Sequence, residues 1–110
     1  MIRLVLNADD LGLTAPLSAA VVALRAAGLV TDTSLLACGE AFDEAARGLL
    51  ANGIGTTGVH LCLVGGEAPV SRPADVPSLL RAGRFRTGWP SVCRSAMSPT
   101  TASNLACTVW

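Results

Sequence analysis

The sequence predicts an α/β fold: three parallel strands with two helices, followed by an irregular C-terminal tail. Three observations carry the prediction. Short apolar runs rich in branched residues alternate with segments of helical period, in the order strand, helix, strand, helix, strand. Glycine or proline punctuates each change of period. Beyond Gly65-Gly66 the pattern breaks up, with Pro69, Pro73 and Pro77 spaced through what reads as a loop. An alternating order of this kind implies parallel strands joined by right-handed crossovers.

Residues 2–6 form the first apolar run and read as a strand, which Asn7 to Gly12 break. Thr14 suits a helix N-cap, and Pro16 is tolerated in a first turn. Leu17, Val21, Leu24 and Ala27 then recur on one helical face, and Gly28 is a C-terminal stop. Residues 31–37, rich in Thr and Leu, are the second strand. Gly39 opens the second helix, in which Phe42, Ala45, Ala46 and Leu49 share a face and which Asn52-Gly53 end. Residues 56–64 are the third strand and carry His60 near their end. Past it, residues 76–80 read as one helical turn, with Gly83-Arg84-Phe85 as a turn after it. From Trp89 onward no periodicity is convincing.

A length of 110 residues offers one small domain with a modest core. Only 15% of residues are charged, which fits either an alanine-heavy protein of small residues or a surface meant to be covered by further chain. The formal net charge is zero, which leaves no electrostatic footprint for nucleic acid or anionic membrane. All eight basic residues are arginine, read here as base-composition bias in the gene. No apolar run approaches the ~18 residues of a membrane span. The N-terminus reaches Asp9 and Asp10 too soon for a signal peptide, so a cytoplasmic location is expected. Cys38, Cys62, Cys93 and Cys107 lack Cys-x-x-Cys spacing. They are expected to be free thiols, with Cys38 and Cys62 buried in strands or at strand ends.

Asn7-Ala8-Asp9-Asp10 and Gly58-Val59-His60-Leu61 are the segments that carry chemistry. Parallel α/β sheets bind ligands beyond the carboxyl ends of their strands. Both segments therefore fall where they can converge, and His60 is the only histidine of the chain. Carboxylate with imidazole suits Zn²⁺ or another divalent ion. A neighbouring carboxylate could serve as general base toward metal-bound water. Successive side chains of an extended strand point to opposite sides, so Asp9 and Asp10 can both face one site only if the strand is broken there. Asn7 is placed either to orient one of the aspartates or to end the strand. Thr33 and Ser34 are candidates to hydrogen-bond a ligand. A turn, a helix cap or an internal hydrogen-bond network would use the same residue types, and spacing alone leaves those alternatives open.

Taken together, Leu4-Val5-Leu6-Asn7-Ala8-Asp9-Asp10-Leu11-Gly12-Leu13 resembles the opening signature of the YdjC-like carbohydrate deacetylases. Gly28-Leu29-Val30-Thr31-Asp32-Thr33-Ser34-Leu35 and Gly58-Val59-His60-Leu61-Cys62-Leu63 resemble that family's next two blocks. Pro69-Val70-Ser71 and Val76-Pro77-Ser78-Leu79 continue in register. Some members of the family are associated with hopanoid biosynthesis. The resemblance spans about residues 1–90. It implies the N-terminal part of a (β/α) barrel and a metal-dependent hydrolase that removes an acetyl group from an N-acetylated sugar. By the same resemblance Asp10 and His60 would be metal ligands for Mg²⁺ or Zn²⁺, and Asp9 the catalytic general base.

Two departures shape the expectation. The family draws a further histidine ligand from a downstream His-x-His segment, and this chain has no second histidine. A barrel of this class takes ~250 residues. The resemblance therefore implies an N-terminal fragment, residues 1–90 forming a partial deacetylase domain and 91–110 an irregular tail not native to the fold. Such a chain is expected to be weakly active or inactive alone. It is also expected to self-associate or aggregate through its open sheet edge. A non-catalytic sugar-binding or accessory protein is the rival expectation.

Overall fold

Three short strands stack side by side in the computed structural model, which describes residues 2–88 and 90–91. They are β1 (Asn7–Leu11), β2 (Asp32–Leu36) and β3 (Gly58–His60), in the order β1-β2-β3 with every pair parallel. Helix α1 (Ala15–Ala26) connects the first pair and α2 (Phe42–Ala51) the second. These elements belong to one compact unit, Met1–Leu61, and Cys62–Trp110 forms a second.

Helix boundaries follow local chemistry. Thr14 is the N-cap of α1 in an extended conformation, and Pro16 sits in the first turn. Gly28 has φ +72°, which glycine adopts without a Cβ penalty, and the chain leaves the helix there. Gly53, at φ +71°, does the same after α2. The second helix begins at Phe42 rather than at the expected Gly39. Gly39 meets a different requirement: a Cβ there would lie 2.1 Å from the carbonyl oxygen of Gly12, so only glycine lets the β1–α1 and β2–α2 loops approach. The amide of Ala41 donates to that same oxygen at 2.9 Å.

The core of this unit is Leu11, Val21, Val22, Ala45 and Leu49, with Ala8, Leu35 and Ile54 packed against it. Burying each Leu or Val stabilises by about 1.5–3 kcal/mol. Ala45 and Leu49 lie on the expected face of α2, and Phe42 and Ala46 are half-buried beside them. On α1 the face differs from expectation. Ser18, Val21 and Val22 are buried, while Leu17 and Leu24 are exposed. The helix is rotated toward Ser18 because that hydroxyl ties the loop down. It accepts from the Gly12 amide at 3.0 Å and donates to the Thr14 carbonyl at 2.8 Å. Gly48 meets α1 closely, since an added Cβ would touch Val22 at 3.3 Å.

Strand positions depart from the sequence expectation in a systematic way. The first strand is not residues 2–6 but Asn7–Leu11, so the acidic couplet lies within it. Its partner β2 begins only at Asp32, opposite Asn7, and the apolar residues before that point lie beyond the ladder's end. They are exposed, Ile2 at 98%. The third strand shrinks from residues 56–64 to Gly58–His60, because its ladder with β2 ends at Leu36 opposite His60. The second strand keeps its expected centre and loses one residue at each end. Cys38 and Cys62, expected in or at the end of buried strands, are half-buried and outside them; the Sγ of Cys62 contacts the Val64 carbonyl. Cys93 and Cys107 lie outside the described residues.

In the second unit the described elements are short. Two 3-10 turns, Pro73–Asp75 and Pro77–Leu79, replace the helical turn expected over 76–80; proline at the head of each removes an amide that a longer helix would need. Strands β4 (Leu80–Arg81) and β5 (Arg84–Phe85) follow, paired antiparallel. The expected turn at Gly83-Arg84-Phe85 is therefore centred one residue earlier. Ala82 and Gly83 both have positive φ, 52° and 78°, which is the two-residue hairpin turn that matches strand twist. Val76, Leu79, Leu80 and Phe85 are buried. Arg72 pairs with Asp75 through two nitrogens, at 2.9 and 3.1 Å. That hydrogen bonding, and then the carboxylate charge, hold the guanidinium pKa above its ordinary value. The tail expected over 91–110 lies, apart from Ser91, outside the described residues. No described helix is long and apolar enough to cross a membrane.

Candidate active site

Strand alternation sets which side chains meet. Ala8, Leu11 and Leu35 pack toward the helices. Asn7 and Asp9, and Ser34 and Leu36 on β2, therefore point to the opposite face. Pairing of Ser34 with Gly58 and of Leu36 with His60 puts His60 on that face too. The sheet thus offers Asn7, Asp9, Ser34 and His60 to one side by register alone.

Asp10 joins them through a defect. Ala8 pairs with Thr33 and Leu11 with Leu35, so β1 takes three steps while β2 takes two. The extra residue is accommodated at Asp10, whose φ is +59°. This left-handed conformation is uncommon outside glycine, and aspartate is among the side chains that tolerate it. A bulge of this kind re-aims a side chain. It supplies the strand break that two consecutive acids need in order to share one site.

Both acids reach the same imidazole, from different ends. Asp10 Oδ1 lies 3.4 Å from His60 Nε2. Asp9 Oδ1 lies 4.0 Å from His60 Nδ1. Between them stands Ser34, whose hydroxyl donates to Asp9 Oδ1 at 2.7 Å and lies 3.2 Å from His60 Nδ1. The Asn7 amide donates to the same Asp9 oxygen, the orienting role open to it from the sequence. The Asp10 backbone N–H is 3.4 Å from Nδ1. Thr33, the other candidate polar residue of β2, does not face the site. It is buried, and its hydroxyl bonds that of Thr57 at 2.9 Å.

The site is open to solvent: the Asp9 and Asp10 side chains are 63% and 53% exposed and His60 25%. Two ligands about 2.1 Å from a tetrahedral ion stand about 3.4 Å apart. The Asp10–His60 separation matches that spacing, and the donor set suits a divalent ion. Asp9 faces the other ring nitrogen and so cannot complete the same pair. Among the described residues no group of three or more His, Cys, Asp or Glu side chains could hold a metal ion. The residues present therefore fit two ligand positions.

Comparison with known proteins shows what scaffold this is. The sequence pattern of the YdjC-like proteins matches residues 3–106. This chain belongs to the YdjC-like family. A carbohydrate deacetylase of Brevibacillus brevis is 37% identical to it over 87 residues, covering 78% of this chain and 34% of the relative. A carbohydrate deacetylase of Oceanobacillus iheyensis is 35% identical over 85 residues, covering 76% and 36%. The YdjC-like chain spans about a third of the length of these curated relatives. A solved structure from Enterococcus faecalis V583, described as a candidate cellobiose-phosphate cleavage protein, superposes with TM-score 0.68 at 26% identity. It covers 91% of this chain and 43% of that one. The three parallel strands and two helices are thus the part of a larger YdjC-like α/β fold that this chain represents.

Sequence reasoning found Asp9, Asp10 and His60, and the YdjC-like structure brings all three together. It did not find the link through Ser34. The available signal was alternation: Ser34 is one residue from Thr33, so only one of the pair could share a face with Asp9.

Proposed function

We propose that this chain carries part of a metal-dependent site that hydrolyses the acetamido group of an N-acetylated sugar. The supporting observation is the bulge at Asp10, which turns two consecutive carboxylates toward the two nitrogens of one imidazole. Membership of a family with curated carbohydrate deacetylases indicates the substrate class. Asp10 and His60 would hold a divalent ion, Mg²⁺ or Zn²⁺, through Oδ1 and Nε2. Bound there, such an ion supplies polarisation of the amide carbonyl and a lowered pKa for water. Asp9 is the general base. Its Oδ1 is engaged by Asn7 and Ser34, which fixes the carboxylate in place while it takes a proton from the attacking water. Attack at the carbonyl carbon and cleavage of the C–N bond give acetate and a free amino sugar.

Two protein ligands hold an ion less tightly than three, and the sequence has one histidine. Low turnover by the 110-residue chain alone is therefore part of the proposal. Titration with Zn²⁺ or Mg²⁺ tests it. Asp10→Ala and His60→Ala should each abolish binding, and unchanged affinity in either would overturn the assignment. Acetate release from N-acetylated chito-oligosaccharides should be slow in the parent chain and absent in Asp9→Ala. The absence of a third described ligand favours one alternative, a sugar-binding module without catalysis. Sugar binding that persists without metal and without any acetate release would select it.

A further inference from the structure

Register gathers three arginines on one face of the second unit. Arg81 and Arg84 stand directly opposite each other across the hairpin, so their side chains share a face. Arg86 lies two residues beyond Arg84, and alternation returns it to that face; Phe85 between them is buried. All three arginines line one open cleft of about 670 Å³. Like charges directly opposite one another destabilise a strand pair. Among the described residues, no carboxylate lies within ion-pair distance of any of the three. Arg84 Nε donates to the Gly66 carbonyl, and Arg86 Nη1 donates to Ser91 Oγ at 3.3 Å. Arg86 Nε is buried with no hydrogen-bond partner, a state that costs free energy until an acceptor reaches it. The formal net charge of zero conceals a division along the chain. Cys62–Trp110 holds five arginines against two acidic side chains, Glu67 and Asp75, while Met1–Leu61 holds three arginines against six.

We propose that this cleft is an anion site that takes the phosphate group of a small molecule. Guanidinium presents N–H donors in a planar fork that phosphate oxygens accept in pairs. Three such groups on one face match a dianion with three terminal oxygens, whereas a carboxylate offers two oxygens and a single charge. The cleft falls within the ~300–1,000 Å³ of small-molecule sites. Three arginines around one concavity do not lay out the stripe of charge that a nucleic-acid backbone requires. The proposal is independent of the reading of Asp9, Asp10 and His60, and its test uses no metal.

Calorimetric titration of the metal-free 110-residue protein with inorganic phosphate at low ionic strength should show one site. Arg84→Gln and Arg86→Gln should each weaken it about tenfold or more. Where Arg86→Gln fails to fold, Arg81→Gln, at an exposed position, carries the same expectation. Arg72→Gln removes the same charge from the same unit, but that arginine is already paired with Asp75, so phosphate affinity should be unchanged. Glucose 6-phosphate in a parallel titration identifies the source of the group. Tighter binding of the ester marks a phosphate-ester site, tighter binding of the free ion an inorganic-phosphate site, and either supports the proposal. No phosphate binding by the parent chain overturns it. So does an equal loss in Arg72→Gln, which would reduce the effect to overall charge, and so does acetate bound as tightly as phosphate.

Discussion

The unit Met1–Leu61 joins its strands across long stretches of sequence, Asn7 to Asp32 and Ser34 to Gly58. In Cys62–Trp110 the described hairpin joins Leu80 to Phe85 and Arg81 to Arg84. The first arrangement must close two long loops before any cross-strand contact forms, and it recovers that entropy by burying Leu11, Val21, Val22, Ala45 and Leu49. The second needs only a two-residue turn. Every candidate active-site residue lies in the first arrangement, and together they draw on all three strands and the bulge. The site is therefore a property of long-range pairing. It should respond to changes anywhere in the first unit's core and ignore changes in the second unit's hairpin.

The largest effect should come from the core. Leu11→Ala removes a fully buried side chain next in sequence to Asp10, the carboxylate nearer His60. It should destabilise by about 2–5 kcal/mol in urea unfolding, with Zn²⁺ binding lost alongside. Next is Gly39→Ala, which forces a Cβ against the Gly12 carbonyl. A cost of about 1–3 kcal/mol is expected from overpacking, with the Asp10 loop displaced and Zn²⁺ affinity reduced. Asp10→Gly separates folding from function: it relieves the φ of +59° and should raise stability by about 0.5–1 kcal/mol, while titration shows Zn²⁺ binding abolished. The smallest effect belongs to the second unit. Ala82→Asn suits the positive φ of the hairpin turn and should stabilise by about 0.5 kcal/mol with Zn²⁺ affinity unchanged. A drop in affinity there would break the contrast between the two regions.

The same contrast explains how much could be read from sequence. Three of the four helix ends were legible because their causes are local: Pro16 in a first turn, Gly28 and Gly53 at positive φ; the start of α2 was not, because Gly39 answers to its contact with Gly12. Strand ends were not, because a strand extends only as far as its partner. Residues 2–6 are mostly apolar, yet the register with β2 begins only at Asn7 opposite Asp32, and of that run only Leu6 is bonded there, to Thr31 and Asp32. Asp9, Asp10 and His60 stood out as carboxylates and a single imidazole beside apolar runs. Ser34 was a candidate only together with Thr33; its register with Gly58 and its distance to Asp9 are what single it out. The buried face of α1 was misjudged for a related reason: Ser18 is polar, and only its bonds to Gly12 and Thr14 show why it lies inside.

The extra step between Ala8 and Leu11 makes the acidic couplet a matter of counting as well as chemistry. Delete one residue there and the pleat recovers its even beat, with a single acid left on the histidine's side. Point substitutions at Asp9 or Asp10 alter one role each. A change of length at this place would remove the partnership itself, so insertions and deletions should be far less tolerated here than in the hairpin at Ala82-Gly83.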